Sequence, residues 1–267
     1  GIAWDHINVF PVYEGYVNQF AKFMDTVSED MVYFEGDKEM QTIVANYKGT
    51  ARIHPYNTPK YKVVNEQTVI EAEQDYALKV FGEHNLQNIE GARLVCESLG
   101  VKKDDFYKAI QSFEGAANRL QKLAENEKTV IFKDFAHSPS KLKATVKAAR
   151  TQYAHRKIIA VMELHTFSSL NKDFWAEYEG SMNEADVAIV YVDKETLALK
   201  RMPDLNIEEV EKNFGRADLK ILQNKEALEQ ELLSHSYNNT MLLLMTSGTF
   251  GGMDVKSLTE HLLAKVD

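Results

Sequence analysis

The sequence predicts an α/β fold whose second half is a mostly parallel sheet with helices on both faces. From Thr129 onward, short aliphatic runs alternate with helical patterns along the chain. These runs are apolar throughout, as in Ile158–Met162 and Met241–Met245. Continuous apolar runs of this length are typical of strands that are buried on both faces. We therefore expect a Rossmann-like domain in the second half.

Strands and helices of that domain follow from the period of the apolar residues. The predicted strands are Val130–Phe135, Ile158–Leu164, Val187–Val192, Leu219–Leu222 and Met241–Thr246. The predicted helices are Lys141–Tyr153, Asp173–Met182, Ile207–Phe214, Lys225–His235 and Val255–Val266.

The first half is more mixed. Its predicted helices are Tyr13–Met24, Lys38–Tyr47, Asn85–Leu99 and Asp104–Ser112, and its strand-like runs are Gly1–Trp4, Met31–Phe34 and Tyr61–Val64. Because the chain opens inside a strand-like run without an initiator Met, we expect a fragment that lacks an upstream segment. The charged run Ala124–Lys128 has no apolar anchors, so we place a domain boundary there, with domains at 1–124 and 125–267.

Composition narrows the class of protein. The chain has 267 residues, of which 44% are hydrophobic, and a formal net charge of −9. This charge argues against a surface for nucleic acid or for an anionic membrane, although a local Arg pocket could still bind an anionic substrate. One cysteine, Cys96, fits a reducing compartment and a packing role. No apolar run reaches transmembrane length, and oligomeric state stays open.

The segment Asp134–Pro139 reads Asp-Phe-Ala-His-Ser-Pro and connects a predicted strand to a predicted helix. Ligands of open α/β sheets bind at the carboxyl ends of strands, and a helix N-terminus offers free N–H groups to an anion. The alternative is a capped βα turn with Ser138 as N-cap and Pro139 as first helical residue. These residues alone leave both interpretations open.

Two polar groups in the first half could also carry chemistry. His6 beside Asp5 could ligate a divalent metal or orient a phosphate, or the two could be a polar surface pair. Asn85 and Asn88 lie one helical turn apart after Gly82, and their amides suit an adenine edge or a ribose. The alternative for these amides is an N-cap cluster.

Three further segments hold candidate groups. Arg119 follows the flexible Gly115 and could grip a phosphate with two N–H groups, although a solvated arginine is the alternative. Glu163–Ser169 follows a buried strand. Thr246–Gly252 follows the last strand and could bind a carboxylate or phosphate oxygen, or be an ordinary Gly-rich turn. The sequence contains no GxxxxGK[ST], CxxC, HExxH or GxSxG motif.

Taken in order, these pieces resemble the Mur ligase superfamily. The order is Asp-His after a strand, GxHNxxN opening a helix, FxGxxxR, the DFAHSP turn and a Gly-rich final strand end, and it covers nearly the whole chain. The resemblance implies the latter part of the family's central, P-loop ATPase-type domain over 1–124. It implies the family's C-terminal Rossmann-like domain over 125–267. The P-loop and the UDP-substrate domain are then expected upstream.

The resemblance also implies a reaction. Members use ATP and Mg²⁺ to convert a carboxylate into an acyl phosphate that an amine then attacks, and such chemistry depends on charge neutralisation and alignment. Gly1–Phe10 and Lys133–Pro139 look most like the branch that adds to UDP-N-acetylmuramate. Within it, the DFAHSP and SGTFGG spellings look most like the ligases of murein recycling, which add a tripeptide.

Alanine-adding ligases of peptidoglycan biosynthesis are the close alternative to that reading. A non-catalytic binding module that retains the C-terminal domain is the second alternative. The resemblance implies a cytoplasmic bacterial enzyme, and we expect this chain to be inactive by itself because it lacks the P-loop.

Residue roles follow from the resemblance motif by motif. His6 is implied as a catalytic Mg²⁺ ligand. The residues implied to contact the nucleotide are His84, Asn85, Asn88, Arg119, Asp134 and His137, with Arg119 and Asp134 also catalytic. The residues implied to recognise the amine substrate are His165, Ser168, Ser247, Gly248, Thr249 and Phe250. We assign no carbamylated lysine, because Ala21 stands at the expected spacing with Lys22 beside it.

Overall fold

Residues 2–114 mix helices with short strands in the computed structural model, which describes residues 2–264. The helices are α1 (Tyr13–Asp25), α2 (Lys38–Asn46), α3 (Glu83–Ser98) and α4 (Lys103–Ile110). The strands are β1 (Asp30–Phe34), β2 (Arg52–Tyr56), β3 (Tyr61–Val64), β4 (Gln67–Glu71) and β5 (Asp75–Ala77). β1 pairs with β2 in parallel, whereas β3, β4 and β5 form an antiparallel sheet.

The predicted opening strand is wrong for the described part of Gly1–Trp4. Residues 2–4 have no regular structure, and Gly1 lies outside the described residues. The backbone N–H of Ile2 donates to the Asp37 carboxylate over 2.6 Å. Asp37 also caps α2 by accepting from the Met40 N–H over 2.8 Å. A side chain therefore fixes this segment where a strand partner was expected.

Helix α3 organises the larger apolar cluster of this unit. Its buried face, with Leu86 and Ile89, packs with residues of β4, β5 and α4. Arg93 is 8% exposed, and its guanidinium donates to Glu90 Oε1 over 2.7 Å. Cys96 packs against the same cluster, which confirms the packing role predicted for the single cysteine.

The remaining strands form one six-stranded sheet, in the order β10-β9-β8-β11-β7-β6. These strands are β6 (Gln121–Glu125), β7 (Thr129–Asp134), β8 (Lys157–Glu163), β9 (Val187–Tyr191), β10 (Lys220–Leu222) and β11 (Thr240–Met245). All neighbours run parallel except β6, which is antiparallel to β7. The sheet confirms the α/β class and all five predicted strands of the second half.

Helices connect these strands. They are α5 (Pro139–Gln152), α6 (Phe167–Leu170), the 3₁₀ helix Lys172–Tyr178, α7 (Lys194–Leu199), α8 (Ile207–Phe214), α9 (Lys225–Ser234) and α10 (Val255–Ala264). The predicted helix Asp173–Met182 is wrong in type, since a 3₁₀ helix begins at Lys172. Asn171 caps its start by accepting from the Asp173 N–H over 3.0 Å. The last predicted helical residues, 265–266, lie outside the described residues.

The chain divides into two units, Gly1–Glu114 and Gly115–Asp267. This division falls earlier than the predicted boundary at residue 124. The reason is β6, an edge strand whose sequence QKLAE holds few apolar residues because only one of its edges is paired. Leu123 of β6 packs against the core of the second unit. Within residues 2–264, no helix has the length and apolar character of a bilayer span.

Register places the ends of three strands side by side. β11 lies between β7 and β8, and Met245 aligns with both Asp134 and Met162. The chain passes from β7 to β8 and outward to β9 and β10, then returns to insert β11. The carboxyl ends of β7, β11 and β8 therefore form the topological switch point, where such sheets bind ligands.

A carboxylate fastens the opposite end of the same sheet. Asp186, just before β9, accepts from the Ile158 N–H over 2.7 Å and from Arg150 over 2.6 Å. Burial alone would raise the pKa of Asp186, but the Ile158 N–H and the Arg150 guanidinium together hold that pKa below its usual range. Asp186 therefore ties the start of β8 to the start of β9.

We predict that Asp186→Ala lowers the free energy of unfolding by roughly 1 kcal/mol, because the Ile158 N–H loses its partner in a half-exposed position. Urea unfolding would measure the change. Glu114→Ala is the control, since Glu114 forms an exposed ion pair with Lys79. Equal losses for the two variants would contradict the prediction.

Candidate functional site

The carboxyl edge of the sheet gathers the polar residues of three strand ends. The end of β7 contributes Asp134, His137 and Ser138. The end of β8 contributes Glu163 and His165, and the end of β11 contributes Thr246, Ser247 and Gly248. A backbone bond joins two of these ends, since the Thr246 N–H donates to the Asp134 carbonyl over 2.9 Å.

Asp134 is a buried carboxylate whose oxygens both have partners within the protein. Oδ2 accepts from the Leu120 N–H and Oδ1 from the Ala136 N–H, each over 2.7 Å. The Thr145 hydroxyl adds a longer bond of 3.3 Å to Oδ1. Both carboxylate oxygens thus bind donors of their own unit, and the predicted contact of Asp134 with a nucleotide stays a prediction.

Arg119 sits in the loop that Asp134 holds. Its neighbours Asn118 and Leu120 have φ values of +56° and +43°, a left-handed conformation that costs about 1 kcal/mol or more for such residues. Leu120 keeps this conformation because its side chain is buried and its N–H is bound to Asp134. The exposed Arg119 guanidinium lies 5.0 Å from the centre of the Phe135 ring. The loop therefore presents a cation at the strand end.

The turn before α5 combines a cap with an unpaired hydroxyl. Ser138 is the N-cap and Pro139 opens the helix, as predicted, but the Ser138 side chain makes no capping bond. Ser138 is 3% exposed, and its Oγ has no hydrogen-bond partner among residues 2–264. His137 Nδ1 lies 2.8 Å from the Phe135 carbonyl. A buried hydroxyl at a helix N-terminus fits an anionic ligand.

Glu163 anchors the loop after β11. This side chain is 1% exposed, and its Oε2 accepts a very short hydrogen bond from the Thr246 hydroxyl. The same oxygen accepts from the Phe250 N–H over 3.1 Å. The Gly248 N–H donates to Thr246 Oγ1 over 2.7 Å. One carboxylate oxygen therefore fixes both ends of the 246–250 loop.

His165 lies beside the other oxygen of this carboxylate, and Ser247 follows Thr246 in the loop. His165 Nδ1 lies 3.7 Å from Glu163 Oε1, beyond hydrogen-bond length. His165 Nδ1 and Ser247 Oγ are buried and have no hydrogen-bond partner within the described chain. A Cβ at Gly248 would lie 2.7 Å from His165 Nδ1 and 2.9 Å from Glu163 Oε2. The backbone therefore approaches these groups as closely as only glycine allows.

The other residues predicted for the amine substrate differ in position. The Phe250 ring is fully buried in the core, and the Phe250 N–H donates to Glu163. The role of Phe250 in substrate recognition stays a prediction. Thr249 is exposed, and its Oγ1 accepts from the Gly252 N–H over 3.1 Å. Ser168 is 6% exposed within α6.

In the first unit, the residues predicted for the nucleotide lie in the first turns of α3. Gly82 is the N-cap at φ +92°, and Asn85 Nδ2 donates to the Phe81 carbonyl over 2.9 Å. His84 is half-buried and Asn88 is exposed. Asn85 therefore bonds to the segment before α3 without capping the helix, whose N-cap makes no side-chain bond, while Asn88 presents its amide to solvent.

His6 is exposed, has a φ of +56°, and donates its N–H to Asp5 Oδ1 over 2.8 Å. Among residues 2–264, no group of three or more His, Cys, Asp or Glu side chains is arranged to hold a metal. The described residues therefore do not form a metal site by themselves. Mg²⁺ commonly takes one or two protein ligands beside phosphates and waters.

Glu163 and Thr246 begin the two candidate segments Glu163–Ser169 and Thr246–Gly252, but the sequence assigned a role to neither residue. A signal was present, because Glu163 ends a strand, Lys157–Glu163, that is otherwise buried and apolar after its first residue. A charged residue at such a position needs a partner. The sequence cannot show that the partner comes from a strand far along the chain.

The fold is an α/β domain whose mostly parallel sheet has a polar carboxyl edge. Residues 118–248 match the family model described as Mur ligase, glutamate ligase domain. Residues 118–248 therefore form a Mur ligase domain, which confirms the resemblance to the Mur ligase superfamily seen in the motifs. That match falls within the second unit, Gly115–Asp267.

Individual relatives give the extent of the similarity. A UDP-N-acetylmuramate–L-alanine ligase of Roseiflexus sp. (strain RS-1) is 24% identical over 227 residues, which are 73% of this chain and 48% of the relative. The chain therefore spans about half the length of this curated relative.

Two solved structures share the fold. A murein peptide ligase from Psychrobacter arcticus 273-4 has a TM-score of 0.59 at 16% identity, over 97% of this chain and 55% of that one. A MurF ligase from Thermotoga maritima, solved in complex with ADP, has a TM-score of 0.70 at 17% identity, over 97% of this chain and 60% of that one.

We predict that Asp134→Ala lowers the free energy of unfolding by about 2 to 5 kcal/mol, because the Leu120 and Ala136 N–H groups lose their buried acceptor. Asp134→Asn should cost less, since the amide oxygen can still accept one of these bonds. Chemical denaturation measures both variants. Glu125→Ala is the control for losing an exposed carboxylate. A wild-type midpoint for Asp134→Ala would refute the structural role.

Gly248→Ala should destabilise the protein by about 1 to 3 kcal/mol, because the added methyl group would overlap His165 and the fixed Glu163 carboxylate. Thermal unfolding provides the measurement. Gly15→Ala is the matched control, since nothing lies within 4 Å of a Cβ there and alanine favours the helix α1. If both variants gain stability, the close approach at Gly248 is wrong.

Proposed function

We propose that the whole protein is an ATP-dependent ligase that joins UDP-N-acetylmuramate to an amine in peptidoglycan metabolism. The observation that carries the proposal is the polar carboxyl edge of the sheet, where Ser138, His165 and Ser247 hold buried polar atoms without partners. Buried polar atoms of this kind are expected to bind a polar ligand. The match to the Mur ligase domain family supplies the reaction class.

In the proposed reaction, a carboxylate oxygen of UDP-N-acetylmuramate attacks the γ-phosphorus of ATP, and ADP leaves. The amine nitrogen then attacks the acyl carbon, inorganic phosphate leaves, and the ammonium proton passes to solvent or a base. The catalyst must neutralise phosphate charge and exclude water. The exposed Arg119 and the N-terminus of α5 with Ser138 suit a phosphate, which supports a contact between this loop and the nucleotide.

Further roles extend the proposal to the first unit. His84, Asn85 and Asn88 are the nucleotide-binding candidates of the first unit, and His137 is a nucleotide-binding candidate of the second unit. His6 would supply one ligand to Mg²⁺, and nucleotide phosphates and other parts of the protein would supply the rest. Mg²⁺, when bound, would neutralise phosphate charge. Asp134 acts in this scheme by fixing the Arg119 loop through the Leu120 N–H.

Two amines are candidates. The DFAHSP and SGTFGG spellings favour a murein tripeptide, so that the enzyme would work in cytoplasmic cell-wall recycling. The name of the Roseiflexus relative favours L-alanine and peptidoglycan biosynthesis. His165, Ser168, Ser247, Gly248 and Thr249 are the residues that we assign to this substrate.

An amine panel tests the proposal directly. The full-length protein would be assayed for phosphate release with ATP and UDP-N-acetylmuramate, together with L-alanine, a dipeptide or the tripeptide. We expect release that depends on all three substrates and is fastest with the tripeptide. Fastest turnover with L-alanine would select the second candidate. If no amine stimulates release while ligands still bind, the chain is part of a binding module and the ligase proposal fails.

In the full-length protein, Arg119→Ala should lower kcat by about 100-fold or more, because the phosphates lose a positioned cation. Its stability should stay close to wild type, since Arg119 is exposed and its guanidinium lies against the Phe135 ring at the surface. Lys122→Ala is the control, since Lys122 forms an exposed ion pair with Glu125 on β6. Normal turnover of Arg119→Ala would overturn the assignment.

A further inference from the structure

We propose that Glu163 is the positioning residue of the amine-substrate subsite, an assignment that rests on the proposed ligase function. Its carboxylate would hold His165 and the 246–250 loop in the arrangement that binds the incoming amine. Glu163 acts through these neighbours, because its own side chain is 1% exposed.

The loop that follows β11 supports this assignment through its backbone conformation. Phe250, Gly251 and Gly252 follow one another with φ values of +51°, +64° and +75°. Left-handed backbone is unfavourable for phenylalanine by about 1 to 3 kcal/mol, so something must maintain it. Two contacts do so, namely the buried Phe250 ring and the bond from the Phe250 N–H to Glu163 Oε2. Glu163 thus sets the path of the chain where it leaves β11.

The two oxygens of the Glu163 carboxylate have different neighbours. Oε2 accepts from the Thr246 hydroxyl and the Phe250 N–H. Oε1 faces His165 Nδ1 at 3.7 Å, too far for a hydrogen bond. A buried carboxylate is stabilised by donors on each oxygen. Oε2 therefore stabilises the fold, whereas Oε1 points toward His165 at the carboxyl edge of the sheet.

The polar groups near Glu163 also support the assignment. His165 Nδ1 and Ser247 Oγ are buried and lack hydrogen-bond partners among residues 2–264. Gly248 lies against His165 and the carboxylate, with no space for a side chain. Glu163 fixes this spacing, because Gly248 N–H bonds to Thr246 and Thr246 bonds to Glu163. These groups suit the polar end of an amino acid or peptide.

If Glu163 has this role, its loss should affect binding of the amine and not binding of ATP or UDP-N-acetylmuramate. The phosphate-binding candidates do not depend on Glu163. Asp134 holds the loop that contains Arg119, and Ser138 and Pro139 begin α5. Loss of the Glu163 carboxylate should therefore disturb amine binding and spare the nucleotide. If Glu163 had only a structural role, its substitution would change the free energy of unfolding and leave the ratios of the three KM values unchanged.

The test uses the full-length protein, with KM measured separately for ATP, UDP-N-acetylmuramate and the preferred amine of the panel. Glu163→Ala should raise the amine KM roughly tenfold or more, and change the other two KM values by less than about threefold. Glu163→Gln should restore much of the loss, because its amide oxygen can accept from Thr246 or Phe250. Asp186→Ala, which loses a carboxylate at the other end of β8, should lower stability with an unchanged amine KM.

Thr246→Val provides a second route if Glu163→Ala does not fold. It removes the hydroxyl link between Gly248 and Glu163 while keeping the shape of the side chain, and it too should raise the amine KM selectively. A normal amine KM in the folded variants, or an equal rise in all three KM values, would overturn the assignment of Glu163. A wild-type protein that turns over no amine would overturn the proposed function and this assignment together.

Discussion

The position of β11 in the sheet is the constraint on which the candidate site depends. Because β11 is inserted between β7 and β8, and Met245 is in register with Asp134 and Met162, three strands end at one level. Residues that are far apart in the sequence, such as Glu163 and Thr246, then become neighbours. A slip of one residue would turn the side chains of β11 to the opposite face and break this contact. The chemistry of the edge is therefore fixed by strand register.

Two buried carboxylates use the same physical device at this edge. Asp134 accepts the N–H of Leu120, and Glu163 accepts the N–H of Phe250. Each of those acceptors stabilises a bulky residue with a left-handed backbone, at φ +43° and +51°, whose side chain is buried. Strained backbone of this kind persists only where its surroundings hold it. The structure thus holds strain at two loops that carry candidate ligand-binding groups, Arg119 in one and Ser247 in the other.

The sequence was most informative where local chemistry determines structure. Apolar runs located the strands of the second half, and the Ser-Pro pair located the start of α5. Prediction failed where distant partners decide the outcome. β6 has few apolar residues because it is an edge strand, and the first residues are irregular because Asp37 binds the Ile2 N–H. For the site, the motifs selected Asp134 and His165 as candidates. The bond from the Leu120 N–H to Asp134 and the contact of Glu163 with the end of β11 could be seen only in the structure.

Hydrogen exchange of the full-length protein tests the central claim most directly, which is that ligands bind at the carboxyl edge of the sheet. Exchange would be measured by mass spectrometry with UDP-N-acetylmuramate and a non-hydrolysable ATP analogue, before and after addition of the amine. The account predicts that the nucleotide slows exchange at 118–120 and 135–141. It predicts that the amine then slows exchange in the segments 163–170 and 246–252. Protection by the amine that leaves both of these last segments unchanged would contradict the account.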